Sequence, residues 1–128
     1  MRKKISSGSP WEEQVGYSRG VRVGNIIEVA GTTAMDGDVP VGLGDVYAQT
    51  VFIFQKIEKT LQEAGAGMKD VVRTRMFITD ISKWEEAGKA HAEFFKNIRP
   101  VATMVEVSKL INNDLLIEIE VSAIVDPE

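Results

Sequence analysis

The last third of the chain constrains the fold most, because two strand-like runs flank a short polar break in the stretch RPVATMVEVSKLINNDLLIEIEVSAIV. In the second run, apolar and polar residues alternate with a period of two, which predicts a β-strand with two unlike faces. The apolar face, which we assign to the core, consists of Ile117, Ile119, Val121, Ala123 and Val125. The other face carries Glu118 and Glu120, about 7 Å apart along the strand. Because buried carboxylates need partners, this face suits a ligand pocket or a subunit contact.

The first run, residues 101–107, divides into two faces in the same way. We expect the two runs to form a hairpin about Ile111. In this hairpin Ala102 falls opposite Glu120. Met104 then falls opposite Glu118. The expected register places Ala102 and Met104 beside the two carboxylates, on one face of the sheet.

Upstream of these runs, the sequence predicts alternating strands and helices. The expected order is a strand at 3–6, irregular chain to 16, strands at 18–23 and 26–32, a glycine-rich loop at 33–44, a helix at 45–64, a strand at 70–79, and a helix from 82 that ends at Pro100. Gly24-Asn25 is a hairpin turn signal, and Asp45 is expected to cap the first helix. Ser82 with Glu85 predicts a capping box for the second helix.

The helical spacing of apolar residues predicts one core-facing stripe on each helix. The stripe of the first helix comprises Tyr47, Val51, Phe54, Ile57, Leu61 and Ala64, with Phe52 and Ile53 beside it. The stripe of the second helix includes His91, the single histidine of the chain. A lone imidazole on such a stripe is more often a hydrogen-bonded core residue than a functional one.

A helix between two strands implies a right-handed crossover to a parallel neighbour. We therefore predict an α+β fold that spans residues 1–128 as one domain, with a mixed six-stranded sheet and both helices on one face. The other sheet face would be bare in a monomer, which favours a covering partner. Arg75, inside the strand at 70–79, must be paired or exposed, and its direction stays open.

Composition restricts the possible functions. The 128 residues carry a net charge of −4 and no cysteine, with a pI near 5.1. This charge makes nucleic-acid binding unlikely, since such binders carry basic patches. One histidine, no cysteine and scattered carboxylates form no ligand cluster, so we expect neither a metal nor another cofactor. Without an apolar leader or an apolar run of membrane-spanning length, we expect a cytoplasmic protein with no membrane partner.

The two C-terminal runs also resemble a known family. RPVATMVEV and LLIEIEVSAI, together with GYSRGVRVGNIIEVAGT and VVRTRMFITDI, are similar to the Rid/YjgF family of reactive-intermediate deaminases, often labelled endoribonuclease L-PSP. The resemblance implies a chorismate-mutase-like fold and a homotrimer with a cleft at each subunit boundary. It further implies hydrolysis of 2-imino acids to 2-keto acids.

The resemblance also suggests roles for individual residues. Glu118 matches the glutamate proposed to position the attacking water, and is therefore the catalytic candidate. Tyr17 matches a tyrosine that lines the cleft, and Gly31 matches a turn glycine whose backbone N–H can approach a ligand oxygen. His91 matches, roughly, a tyrosine that borders the cleft. Met104 is assigned to the cleft on the expected hairpin register.

One position departs from the family. The deaminases carry an arginine two residues after the signature proline, where this chain has Ala102. The resemblance implies that this arginine clamps the substrate carboxylate, so deaminase activity on ordinary imino acids should be weak unless another cation, for which Arg75 is the candidate, takes its place. Two other functions remain open: a non-catalytic ligand-binding or regulatory trimer and, less favoured by the acidic charge, a ribonuclease.

Overall fold

A computed structural model describes residues 2–127, and its largest feature is a mixed six-stranded sheet. Residues 2–127 contain eight strands: β1 (Arg2–Ile5), β2 (Gly20–Val23), β3 (Ile26–Thr32), β4 (Met35–Asp36), β5 (Val39–Pro40), β6 (Val71–Ile78), β7 (Val101–Glu106) and β8 (Ile117–Ile124). The order in the large sheet is β1-β2-β3-β8-β6-β7, while β4 and β5 form a separate small hairpin. β6 and β7 are parallel and the other neighbours are antiparallel. The predicted mixed six-stranded sheet is confirmed.

β8 lies inside the sheet, between β3 and β6, and shows the predicted alternation. Its apolar residues at positions 117, 119, 121 and 123 are fully buried, with a relative exposure of 0%. Their burial against the helices stabilises the strand, because each large apolar side chain contributes about 1.5–3 kcal/mol when removed from water. Glu118 and Glu120 point to the other face, as predicted.

The predicted hairpin between the two C-terminal runs is wrong. β7 pairs in parallel with β6, which separates it from β8. Ala102 lies beside Thr74, and Met104 lies beside Met76. Since Thr74 and Met76 are buried under the helices, Ala102 and Met104 share the covered face and do not lie beside Glu118. The physical reason is the crossover helix between β6 and β7, which brings the two strands together in parallel.

Within the described part of the chain three α-helices accompany the sheet: α1 (Pro10–Val15), α2 (Val46–Glu63) and α3 (Trp84–Phe95). α2 and α3 pack against each other on one sheet face, as predicted, and we call the opposite side the open face. The sequence did not predict α1, a short helix capped by Ser9 with Pro10 in its first turn. Among the residues that the structure describes, no helix is both long enough and apolar enough to cross a membrane.

The helix caps were predicted with mixed success. Asp45 caps α2, because its carboxylate accepts a hydrogen bond from the Ala48 N–H at 3.0 Å. The capping box at Ser82 is wrong, since a 3₁₀ turn at 81–83 precedes α3 and the Ser82 N–H and hydroxyl both donate to Asp80. An aspartate two residues upstream competes for the same backbone donors.

The buried side of α2 is wider than the predicted stripe. Ile53 is fully buried, although the spacing placed it beside the core, and Gln49 is also 0% exposed. The Gln49 amide donates to the Asp114 carbonyl at 2.8 Å, and its oxygen accepts from the Leu116 N–H at 2.8 Å. It also donates to the Gly42 carbonyl at 3.3 Å. This buried amide ties two loops to the helix just before β8 begins.

Replacing Gln49 with leucine should lower the free energy of unfolding by about 2–4 kcal/mol, because buried backbone groups of residues 114 and 116 lose their partners. The matched control is Gln55→Leu on the exposed side of the same helix, which should change stability by about 0.5 kcal/mol or less. Urea unfolding followed by circular dichroism measures both variants. Equal effects would show that the amide does not anchor the loops.

Candidate functional site

Glu118 and Gly31 approach each other closely on the open face. The register between β3 and β8 shifts between Val29 and Thr32, which sets Gly31 beside the Glu118 side chain. A Cβ at position 31 would overlap the Glu118 carboxylate oxygen and lie 3.0 Å from its Cδ. A glycine at position 31 therefore leaves room for the Glu118 side chain. The sequence had predicted a different role for Gly31, in which its backbone N–H approaches a ligand oxygen.

The electrostatic environment of Glu118 favours its protonated form. Burial raises the pKa of Glu118 above the usual value, and the neighbouring Glu120 acts in the same direction. Arg19 opposes this shift, because a nearby cation favours the carboxylate. A carboxyl group with a raised pKa, in a site where it can meet a reactant, is a better general acid and base than one with an ordinary pKa.

Arg19 connects the remaining residues of this site. Its Nη2 donates to the Gly31 carbonyl at 2.6 Å, and its guanidinium lies 5.8 Å from the centre of the Tyr17 ring. Tyr17 is 39% exposed. We call Tyr17, Arg19, Gly31 and Glu118 the open-face cluster. It brings together three predicted site residues and one that the sequence analysis missed.

The position of Arg19 follows from the strand pairing. The Ala30 N–H donates to the Arg19 carbonyl at 3.0 Å, which extends the β2–β3 ladder by one pair beyond Gly20. Gly20 points to α2, since a Cβ there would contact Thr60. Alternation therefore directs Arg19 to the open face. The GYSRGV pattern sets Arg19 opposite to Gly20 but does not tell which of the two faces is open.

Arg75 also lies on the open face, which answers the direction that the sequence left open. It pairs with Glu120 across β6 and β8, and its guanidinium lies 3.6 Å from the Glu120 carboxylate. About two fifths of each side chain is exposed, 41% and 37% respectively. Arg75 is thus near the open-face cluster, but its charge is matched by a neighbour.

The other predicted site residues form a second group, which we call the edge cluster: His91, Ala102 and Met104. Ala102 is exposed on edge strand β7, beside Thr74 in the register. The Thr74 hydroxyl lies 2.9 Å from Nε2 of His91. The His91 ring packs against Phe95. Burial lowers the pKa of His91, so the imidazole is neutral at pH 7 and acts as a hydrogen-bonded residue at the border of the core.

The two clusters lie on opposite faces of the sheet. The open-face cluster surrounds Glu118 on the uncovered side, whereas the edge cluster lies on the helix side of the sheet, at edge strand β7. No movement of side chains within one chain could join them. Among residues 2–127, no group of three or more His, Cys, Asp or Glu side chains could hold a metal ion.

Comparison with known proteins identifies the family. The endoribonuclease L-PSP family model matches residues 9–125. An uncharacterized protein of Streptomyces coelicolor is 40% identical over 121 residues, which cover 94% of this chain and 90% of that protein. The crystal structure of a YjgF/YER057c/UK114 family member from Mycobacterium tuberculosis matches with a TM-score of 0.89 at 50% identity, covering 98% of this chain and 100% of that one. The chain therefore belongs to the Rid/YjgF family, as the C-terminal motifs predicted.

A relative with a named activity also matches. The 3-aminoacrylate deaminase RutC of Acinetobacter baylyi is 34% identical over 105 residues, which cover 80% of this chain and 82% of that protein. The similarity extends over most of both chains.

Replacing Gly31 with alanine should lower the free energy of unfolding by about 0.5–1.5 kcal/mol, because the new methyl group forces the flexible end of the Glu118 side chain out of its rotamer. In a Glu118→Ala background the same replacement should cost less, since the obstacle is gone. The control is Gly67→Ala, where a Cβ meets nothing within 4 Å. Equal costs of Gly31→Ala in the two backgrounds would contradict the close contact.

The raised pKa of Glu118 predicts a pH-dependent effect of Glu118→Gln on stability. The folded protein holds this proton more tightly than the unfolded chain, so the contribution of the wild-type acid is full below its ordinary pKa and is lost as pH rises through the folded value. The glutamine variant should therefore gain stability relative to wild type between acidic and neutral pH. Urea unfolding of both proteins across this range measures the difference, and a constant difference would contradict the shift.

Proposed function

We propose that the protein is a homotrimer whose subunit boundaries join the open-face cluster of one subunit to the edge cluster of the next. Each resulting cleft binds a small metabolite and hydrolyses an imine or enamine. The observation that carries the proposal is the desolvated Glu118 carboxylate, held against Gly31 on an open face. The predicted site residues lie on two opposite faces of the sheet. A cleft that contains both clusters therefore needs one cluster from each of two subunits, which supports an assembled cleft.

The proposed reaction needs one group that accepts and returns a proton. Water attacks the carbon of the C=N bond while the Glu118 carboxylate removes a proton from it. The protonated Glu118 then delivers that proton to the nitrogen of the tetrahedral adduct. The second proton of the water then passes from the hydroxyl of the adduct through Glu118 to the nitrogen. As the C–N bond breaks, ammonia leaves and the oxygen of water remains as the carbonyl of the product. A raised pKa suits both steps, because the group must be a base first and an acid afterwards.

The deaminase relative supports this reaction class. RutC of Acinetobacter baylyi is named for 3-aminoacrylate, an enamine whose tautomer is an imine. The same hydrolysis of a C=N bond therefore applies to both substrate forms. Ala102 supports a different specificity, because the resemblance implies an arginine there and an alanine makes no contact with a carboxylate.

A non-catalytic ligand-binding trimer is the second candidate, and Ala102 is the observation that favours it. Binding of a metabolite without release of product would support this function. A ribonuclease is less favoured by the net charge of −4. His91 is hydrogen-bonded to Thr74, and its pKa is lowered. The chain has no second histidine that could act with it in such a reaction.

Subunit complementation tests the proposed cleft. Glu118→Gln disables the open-face cluster, and Ala102→Glu places a repelling carboxylate in the edge cluster. Each variant alone should form a trimer of about three times the 14.1 kDa chain and release little 2-keto acid from imines generated by an amino-acid oxidase. Trimers reassembled from equal amounts of the two should regain activity, because about a quarter of the boundaries then combine two intact clusters.

The matched control mixes Glu118→Gln with Gly31→Ala, two changes in the same cluster, which should restore nothing. Light scattering on a sizing column establishes the assembly of every sample. A stable monomer, or mixed trimers no more active than the single variants, would contradict a cleft shared between subunits. Wild-type trimers that bind 2-keto acids and release no product from imines would support the binding protein instead.

A further inference from the structure

Arg19 is a cation whose charge has no carboxylate partner in the structure. Within residues 2–127 the ion pairs at 4.0 Å or less are Arg75–Glu120 and Lys83–Glu86. A guanidinium has five N–H donors, and here Nη2 donates to the Gly31 carbonyl. The Nε–H of Arg19 is buried, and no acceptor among the described residues satisfies it. Such orphaned buried donors are rare in folded proteins.

The guanidinium is nevertheless held in place. The Gly31 carbonyl fixes one end at 2.6 Å, and the Tyr17 ring lies alongside at 5.8 Å. Arg19 also influences the charge of Glu118, although the two do not form an ion pair. A fixed cation beside a catalytic carboxylate loses little freedom when a ligand binds, which makes it an effective binding group.

We propose that Arg19 binds the carboxylate of the substrate, and so supplies the cation that Ala102 does not. The inference rests on the proposed function, because it names an anionic substrate for the same cleft. Among the described residues Nη1 makes no hydrogen bond, and unlike Nε it is not a buried orphan. The N–H groups of Nη1 and Nη2 at the end of a guanidinium match the two oxygens of a carboxylate.

The other nearby cations are already engaged. Arg75 pairs with Glu120. The ammonium of Lys56 donates to the carbonyls of Thr33 and Met35 at 3.0 and 2.9 Å. A purely structural role for Arg19 would explain its bond to Gly31 but not its unpaired Nε–H, since a buried donor without an acceptor is destabilising. Arg73, which pairs with Ser122, also faces the open side but lies further along the strands from Glu118. Of the cations beside Glu118, Arg19 is therefore the one best placed to bind a ligand.

The test compares a 2-keto acid with its neutral amide. Isothermal titration calorimetry measures the binding of 2-oxobutanoate and 2-oxobutanamide to the assembled wild-type protein and to Arg19→Gln. The wild type should bind the acid more tightly than the amide. Arg19→Gln should weaken binding of the acid about 10- to 100-fold and change binding of the amide less than about 2-fold. Lys59→Gln, an exposed position on α2, removes the same charge elsewhere and should change neither.

Three results would overturn the inference: no binding of 2-oxobutanoate by wild type, an unchanged affinity for the acid in Arg19→Gln, or equal losses for acid and amide, as a structural role predicts. The proposed hydrolysis fails separately. If wild type binds the acid through Arg19 but releases no 2-keto acid from imines, the hydrolysis is wrong and Arg19 remains the anion contact. If Arg19→Gln hydrolyses imino acids with unchanged KM, the hydrolysis stands and the role of Arg19 is wrong.

Discussion

The fold depends on one strand that serves two environments. β8 lies inside the sheet and places alternate residues under the helices, where they are fully buried. The intervening residues carry the acids to the open face. Because the alternation is fixed by backbone geometry, the core and the candidate site cannot shift relative to each other. The apolar half of the strand thus determines where the carboxylate of Glu118 lies.

The open face combines groups that are unfavourable singly. The acid of Glu118 is partly buried and has a raised pKa, and the charge of Arg19 acts on it. The Arg19 guanidinium has an unsatisfied donor and bonds to a backbone carbonyl. Stability alone does not favour such an arrangement, because desolvated polar groups destabilise the fold unless they are paired. Sites that bind and convert a ligand commonly hold groups in this condition before the ligand arrives.

Much of the fold could be predicted from local patterns. The alternation in β8 and the cap at Asp45 are local signals, and the structure confirms both. Pairing between distant strands is not local, so the hairpin expected for β7 was wrong and carried Ala102 to the wrong face. The edge cluster could therefore not be separated from the open-face cluster by sequence alone. Arg19 was missed because its direction depends on its strand partner, whereas family motifs indicated Glu118 and Gly31.

The close approach of Gly31 and Glu118 also restricts how this protein can change over generations. The two positions are distant along the chain but share one small volume, so the side chain permitted at one depends on the other. A lineage that acquires a larger residue at position 31 first would lose the acid from its place at once. A lineage that first shortens residue 118 would keep its fold and could enlarge residue 31 afterwards. The order of the two substitutions, and not their identity alone, therefore decides whether the intermediate protein carries a displaced acid or no acid at this place.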